Sequence, residues 1–357
     1  MNSRALQGCG CAAALLLAVA AAVFALYWFV FRDRGPKPPP PSGGELRVHV
    51  LDVGQGDSIL IVSPEGKAAL VDAGNPGNGK KIVEAMSRLG VSQLSLLVAT
   101  HAHADHIGAA DEVMRAVRVE NVLDSGVPNA TKNYEDFLKA IDETGAKLIT
   151  AAPGQTYDLG GGARLVVLAP IPPFFTREQL RSGGNEPNAN SVVTRLEYGQ
   201  FSMLLTGDAE AQTEQRMTQT GAQLSAKVLK VGHHGSKYAT SEDFLREHKF
   251  ETAVISASAN NLYGHPSQEV LDRLRAANIK VYRTDFQGTL TITTRGDEEY
   301  KIETERAPKQ NEDMTAGREA KRDDSSRSGF VAYPDTGPPP RTRPSPQANS
   351  NRRAAGR

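Results

Sequence analysis

Residues 94–107 read LSLLVATHAHADHI. The first six are a near-continuous apolar run, as expected of a strand buried on both faces. Four metal-ligand side chains then fall within six positions: His101, His103, Asp105 and His106. In an extended loop, positions i and i+2 point the same way, so His101 and His103 can grip one cation. Asp105 and His106 lie past the bend and can grip a second. Imidazole with carboxylate suits zinc, manganese or iron.

Working outward, short β-rich runs precede this stretch at Leu46–Leu51, Ser58–Val62 and Ala68–Val71, with Gly54-Gln55-Gly56-Asp57 and Gly66 as turns. After it, strands are expected at Val119–Asp124, Lys147–Thr150, Arg164–Leu168, Val192–Tyr198, Phe201–Thr206, Lys227–Val231, Thr252–Ser256, Lys280–Arg283 and Thr289–Thr294. Helical patterns fall at Lys80–Leu89, just after His106, and at Tyr134–Glu143, Glu210–Gln219, Glu242–Glu247 and Gln268–Ala277. Two sheets covered by helices on their outer faces fit this order. Of eight histidines, six (His101, His103, His106, His233, His234 and His265) sit just beyond expected strands. Strand ends share a rim, so distant residues can converge there.

Asp208 follows the strand and glycine of LLTGD and can bridge two metals, a role compatible with capping the next helix. In KVGHHGS, residues 230–236, one histidine should complete the second metal site. We take His234 as the ligand and His233, with Lys230, as substrate-facing groups; the reverse assignment stays open. His265, in YGHP, is a late ligand, a phosphate contact or a structural hydrogen-bonding residue. Asp52, Asp57 and Asp72 are read as orienting the ligand histidines or forming turns.

The order of these motifs resembles that of the metallo-β-lactamase fold superfamily. More narrowly, LDVGQGDS at 51–58, VDAG at 71–74, Asn190-Ser191, HHGS at 233–236, YGHP at 263–266 and YRTD at 282–285 resemble the soluble hydrolase domain of ComEC-type DNA-uptake channels. The resemblance covers roughly residues 45 to 295. It implies an αββα sandwich with a dinuclear site at one rim, metal-dependent phosphodiesterase or nuclease activity, and a phosphodiester substrate such as DNA. Two departures stand out. The sequence carries one hydrophobic span rather than a polytopic channel region, so it is not expected to translocate DNA by itself. Many members of the broader fold also place a histidine shortly before the bridging aspartate; here residues 185–191 read NEPNANS. The first metal keeps only His101, His103 and Asp208 from the protein. Asn188, Asn190 and Ser191 are either contacts to metal or substrate, or loop formers.

The expected cofactor is a pair of divalent ions, zinc or manganese. Two cations about 3.5–4 Å apart would hold a hydroxide that attacks phosphorus or a carbonyl carbon. Asp105, Lys230 and His233 are the candidate catalytic side chains, the last two neutralising charge or protonating the leaving group. Alternatives are a hydrolase of another ester (a lactone, a thioester or an envelope phosphoester) and a non-catalytic binding module on the same fold. Substrate choice should reside in the loops 170–190 and 126–133.

Composition adds limits. Lys+Arg and Asp+Glu number 41 each, so net charge points to no polyanionic partner. Cys9 and Cys11 are the only cysteines, which excludes a Cys-based metal site or nucleophile in the main domain. Residues 12–31 run for 20 positions without charge or proline. As a helix they would span about 30 Å, the thickness of a bilayer core. The bulky end YWFVF suits an uncleaved signal anchor, which would make residues 1–35 a single-pass membrane segment with an extracytoplasmic catalytic domain. The alternative is secretion after cleavage. Residues 36–44 (PKPPPPSGG) form a stiff spacer, 45–305 the hydrolase domain, and 306–357 a tail with the composition of a disordered segment.

Overall fold

Period-two burial divides the strands between two neighbouring interiors. In the computed structural model, which describes residues 44–180, 186–307, 314 and 316–319, every residue of Ile59–Val62 and Ala68–Val71 is buried. Leu60 and Leu70 face one cluster, while Ile59, Ile61 and Val71 face another. This parity repeats across the sheet and fixes the layers.

The first sheet contains β1 (Leu46–Val50), β2 (Ile59–Val62), β3 (Ala68–Val71), β4 (Leu96–Ala99), β5 (Asn121–Asp124) and β6 (Lys147–Thr150). The second contains β7 (Thr156–Gly160), β8 (Ala163–Ala169), β9 (Val193–Tyr198), β10 (Phe201–Leu205), β11 (Ala226–Lys230), β12 (Phe250–Ile255) and β13 (Lys280–Arg283). The chain then returns to the first sheet with β14 (Leu290–Thr294) and β15 (Tyr300–Thr304). The orders are β15-β14-β1-β2-β3-β4-β5-β6 and β13-β12-β11-β10-β9-β8-β7. Each sheet has an antiparallel half and a parallel half, the latter β3 to β6 in one and β10 to β13 in the other. The parallel halves put the C-terminal ends of β3, β4, β10, β11 and β12 at the loops that carry the ligand motifs.

Between the sheets lie Val48, Val98, Leu165, Phe201, Met203 and Val254 among others. Outside the first sheet, Ile82 and Met86 of α1 (Gly79–Arg88), then Val113 and Phe137, pack on Leu60, Leu70 and Leu97. Outside the second, Met217, Phe244, Val270 and Leu274 cover Leu204, Leu229 and Ile255. These come from three helices, Ala211–Gln219, Glu242–Glu247 and Gln268–Ala276. The four layers are helix, sheet, sheet, helix, and the expected αββα sandwich is the observed fold.

Strands β7 and β15 were not expected. Both are edge strands whose burial is partial, so their sequences lack a clear apolar face. The domain also continues past Glu305, into the segment whose composition reads as disordered. The Arg306 guanidinium donates to the carbonyls of Phe286 and Thr284. Gly317 N–H donates to Pro266 O at 2.9 Å, and Arg318–Glu319 pair with Asn260–Asn261. The expected membrane anchor and the spacer up to residue 43 lie outside the described residues, as does most of the tail. Among the described residues, no helix is long and apolar enough to cross a membrane.

Candidate metal centre

The strand β4 ends at Ala99, and Thr100 and His101 follow it into the interior with almost no exposure. Asp105 and His106 lie past the bend, as the spacing suggested. They occupy a one-turn helix, Ala104–Ile107. The loop from β1 to β2 closes over that helix: Asp57 N–H donates to Asp105 O at 3.1 Å. Gly56 has φ +131°, and a Cβ there would lie 2.3 Å from the same carbonyl oxygen, so only glycine allows this approach.

From the other sheet, β10 delivers Asp208 and β11 delivers the turn Gly232–Gly235. Asp208 is the meeting point. Its Oδ1 lies 3.2 Å from His106 Nε2 and 3.6 Å from His234 Nε2. Its Oδ2 lies 3.9 Å from His101 Nε2 and 3.7 Å from His233 Nε2. Asp105 Oδ2 is 3.3 Å from His234 Nε2. His101 Nε2 and His103 Nδ1 approach to 2.9 Å. Among the described residues, potential ligand atoms gather in the sets His101, His106, Asp208; Asp105, His106, His234; Asp57, Asp72, His106; and Asp57, Asp208, His234. His103 and His233 stand further out, on the more open side.

Several atoms here are buried without any hydrogen-bond partner: His106 Nε2, His234 Nε2 and Asp208 Oδ1. Orphaned polar atoms in an interior are costly. Two imidazole nitrogens and a carboxylate oxygen facing one another are the donor set of a divalent cation, and the residues fit one.

Behind the ligands stands a second ring of contacts. His106 Nδ1 lies 2.7 Å from Asp72 Oδ2, and Asp72 also accepts from Thr100 N–H at 2.8 Å and Thr100 Oγ1 at 2.7 Å. His234 Nδ1 lies 3.0 Å from Ser256 O, and His233 Nδ1 3.4 Å from Glu210 Oε1. Ser191 Oγ accepts from Asp208 N–H at 3.3 Å and sits 3.4 Å from His101 Nδ1.

The electrostatics follow from this crowding. Burial pushes His101 and His103 down, leaving them neutral, the form that ligates. Burial opposes charge on His106 too, but the carboxylates of Asp208, Asp72 and Asp105 outweigh it and push it well up. Asp208, despite its burial, is held well below the usual carboxylate range by His106, His234 and His233. Burial pushes Asp72 up.

Lys230 is placed differently from its expectation, while Asn190 takes the loop-forming alternative held open for it. Lys230 does not face the opening. It is fully buried, its Nζ 2.8 Å from Asp57 Oδ2 and donating to Val231 O at 2.9 Å, so the pair braces the floor under His234. Asn190 is committed to its own loop through Phe175 N, Phe175 O and Glu186 O. His265 joins none of the tight ligand groups. It packs edge-on against His233, ring centroids 5.4 Å apart, and burial pushes it down to about 3. Glu210 and Ser256 were not singled out from the sequence, since an acid before a helix and a serine after a strand carry no distinctive pattern.

The sequence matches the family model of the metallo-β-lactamase superfamily over residues 51–259. Three curated relatives share the domain. "ComE operon protein 3" of Bacillus subtilis is 33% identical over 69% of this chain and 33% of its own length. "Recombination protein 2" of Haemophilus influenzae is 31% identical over 69% and 28%, and "Competence protein ComA" of Neisseria gonorrhoeae 30% over 69% and 32%. The chain thus spans about a third of the length of these relatives, and the resemblance to ComEC-type competence proteins holds. A buried histidine–aspartate centre at the rim of an αββα sandwich, carried on a sequence that matches over this range, makes the protein a member of the metallo-β-lactamase superfamily.

Proposed function

We propose that this protein is a metal-dependent phosphodiesterase or nuclease with a dinuclear centre. The observation that carries the reading is the division of Asp208, one oxygen toward His106 and His234 and the other toward His101. A carboxylate so flanked is placed to be shared between two cations. In this reading His101, His103 and Asp208 hold the first, and Asp105, His106, His234 and Asp208 the second. When bound, such ions lower the pKa of water toward neutrality and withdraw charge from the phosphoryl oxygens.

The chain's own residues do the positioning. Asp72 and the Ser256 carbonyl fix the rings of His106 and His234, so both Nε2 lone pairs point inward. Ser191 fixes the backbone of Asp208. Asp105, whose side chain is 26% exposed, is the most open of the carboxylate ligands and meets incoming substrate.

Nucleic acid is the favoured substrate because the relatives bear competence and recombination names. The apolar run at 12–31 supports a place at the cell membrane. The test is turnover of bis(p-nitrophenyl) phosphate and single-stranded DNA with zinc or manganese, against a lactone and a β-lactam. Asp208→Ala should abolish phosphodiester turnover while the fold persists. No phosphodiester cleavage with any divalent metal would sink the proposal.

A further inference from the structure

His233 and His234 are sequence neighbours, and neighbouring side chains ordinarily diverge. Here both residues adopt the left-handed region, with φ +48° and +53°. That conformation is unfavourable for an L-residue. Its effect is to bring both rings onto one carboxylate, His234 Nε2 at Asp208 Oδ1 and His233 Nε2 at Oδ2. A histidine serving only as a surface acid has no need of that convergence.

The mounting of the ring is a second, independent observation. A histidine that ligates through one nitrogen nearly always has an acceptor behind the other. His106 has Asp72, and His234 has the Ser256 carbonyl. His233 repeats the pattern: Nε2 faces Asp208, and Nδ1 faces Glu210, itself 1% exposed. All three rings carry their acceptor behind Nδ1 and present Nε2 to the same aspartate.

A third observation concerns the gap. Residues 186–191, just before β9, contain no histidine. Asn190 is tied into its loop. Asn188 is fully buried with its Nδ2 3.3 Å from the His233 ring and its Oδ1 unpartnered. The loop before β9 therefore packs against His233.

We propose that His233 is the third imidazole of the first cation site, ligating beside His101, His103 and Asp208, with Glu210 holding its ring. The inference rests on the two-cation reading above, but its test does not depend on turnover. The full chain, stripped of metal, is titrated with manganese or zinc by calorimetry, and bound metal is counted after dialysis. The wild type should take up two ions. His233→Ala should keep one at wild-type affinity and bind the other at least about 100-fold more weakly, and Glu210→Gln should weaken that same ion roughly 10-fold. His265→Ala, which removes only the ring packed on His233, should keep both. Circular dichroism reports whether His233→Ala folds; if it does not, Glu210→Gln carries the test. Two ions at wild-type affinity in the folded variant would overturn the proposal, and so would an equal loss of both. A wild type that binds two ions yet cleaves no phosphodiester would overturn the substrate assignment and leave this ligand set standing.

Discussion

Asp72 Oδ2 and His106 Nδ1 lie 2.7 Å apart in a fully buried contact, and the same carboxylate accepts both hydrogen bonds of Thr100. One side chain thereby fixes the ring of a ligand and the start of the loop that carries four of them. Asp72→Ala should weaken metal binding by about 10- to 100-fold, the usual effect of removing the acceptor behind a ligating histidine. Calorimetric titration measures it. Unchanged affinity would mean that His106 is held by its surroundings alone.

Lys230 and Asp57 form an ion pair with essentially no exposure. Removing one partner of such a pair strands the other charge and costs about 3–5 kcal/mol. Lys230→Met should lower the stability of the metal-free protein by that amount in denaturant unfolding. Adding Asp57→Asn should restore part of it, because no charge then remains buried. A Lys230→Met protein of wild-type stability would return Lys230 to the role of a free substrate-facing group.

His49 lies on β1, away from the metal centre, with Nδ1 3.0 Å from Thr291 Oγ1. Burial, followed by the nearby Arg47, lowers its pKa from 6.5 to about 4. The unfolded chain therefore takes up a proton near pH 6.5 while the folded chain does not until about pH 4. Stability from this residue is complete above pH 6.5 and is lost as pH falls toward 4, by about 3 kcal/mol. His49→Gln should flatten that part of the stability–pH curve. A variant with the same acid limb as the wild type would refute the assignment.

Gly56 is closed to any side chain by the carbonyl of Asp105. Gly56→Ala must push the β1–β2 loop off the ligand helix. The expected result is weaker metal uptake together with a lower melting temperature. Gly66→Ala, a left-handed turn glycine with open space around it, should show the strain without the loss of metal.

Most of the fold was legible because burial on two faces leaves a pattern. The runs at 59–62, 68–71 and 96–99 are apolar at every position, as strands buried against a helix layer on one face and the other sheet on the other require. The edge strands β7 and β15 left no such trace, since one side of each meets solvent. At the site, clustered ligand types in HAHADH were visible because few other roles place four such residues in six positions. The pairing of Lys230 with Asp57 was not, as it spans 173 positions and depends on the two sheets meeting. For the same reason Glu210 read as an ordinary acid at a helix start.

Two consecutive left-handed histidines also shape how this sequence can change over generations. A population selected for heat resistance in metal-free medium would gain by placing glycine or asparagine at either position, because those residues tolerate the conformation. Selection that includes metal uptake would hold both histidines against that drift. The Gly232–Gly235 turn is therefore where robustness and chemistry pull in opposite directions, and where a stabilised but inert descendant would first differ from its parent.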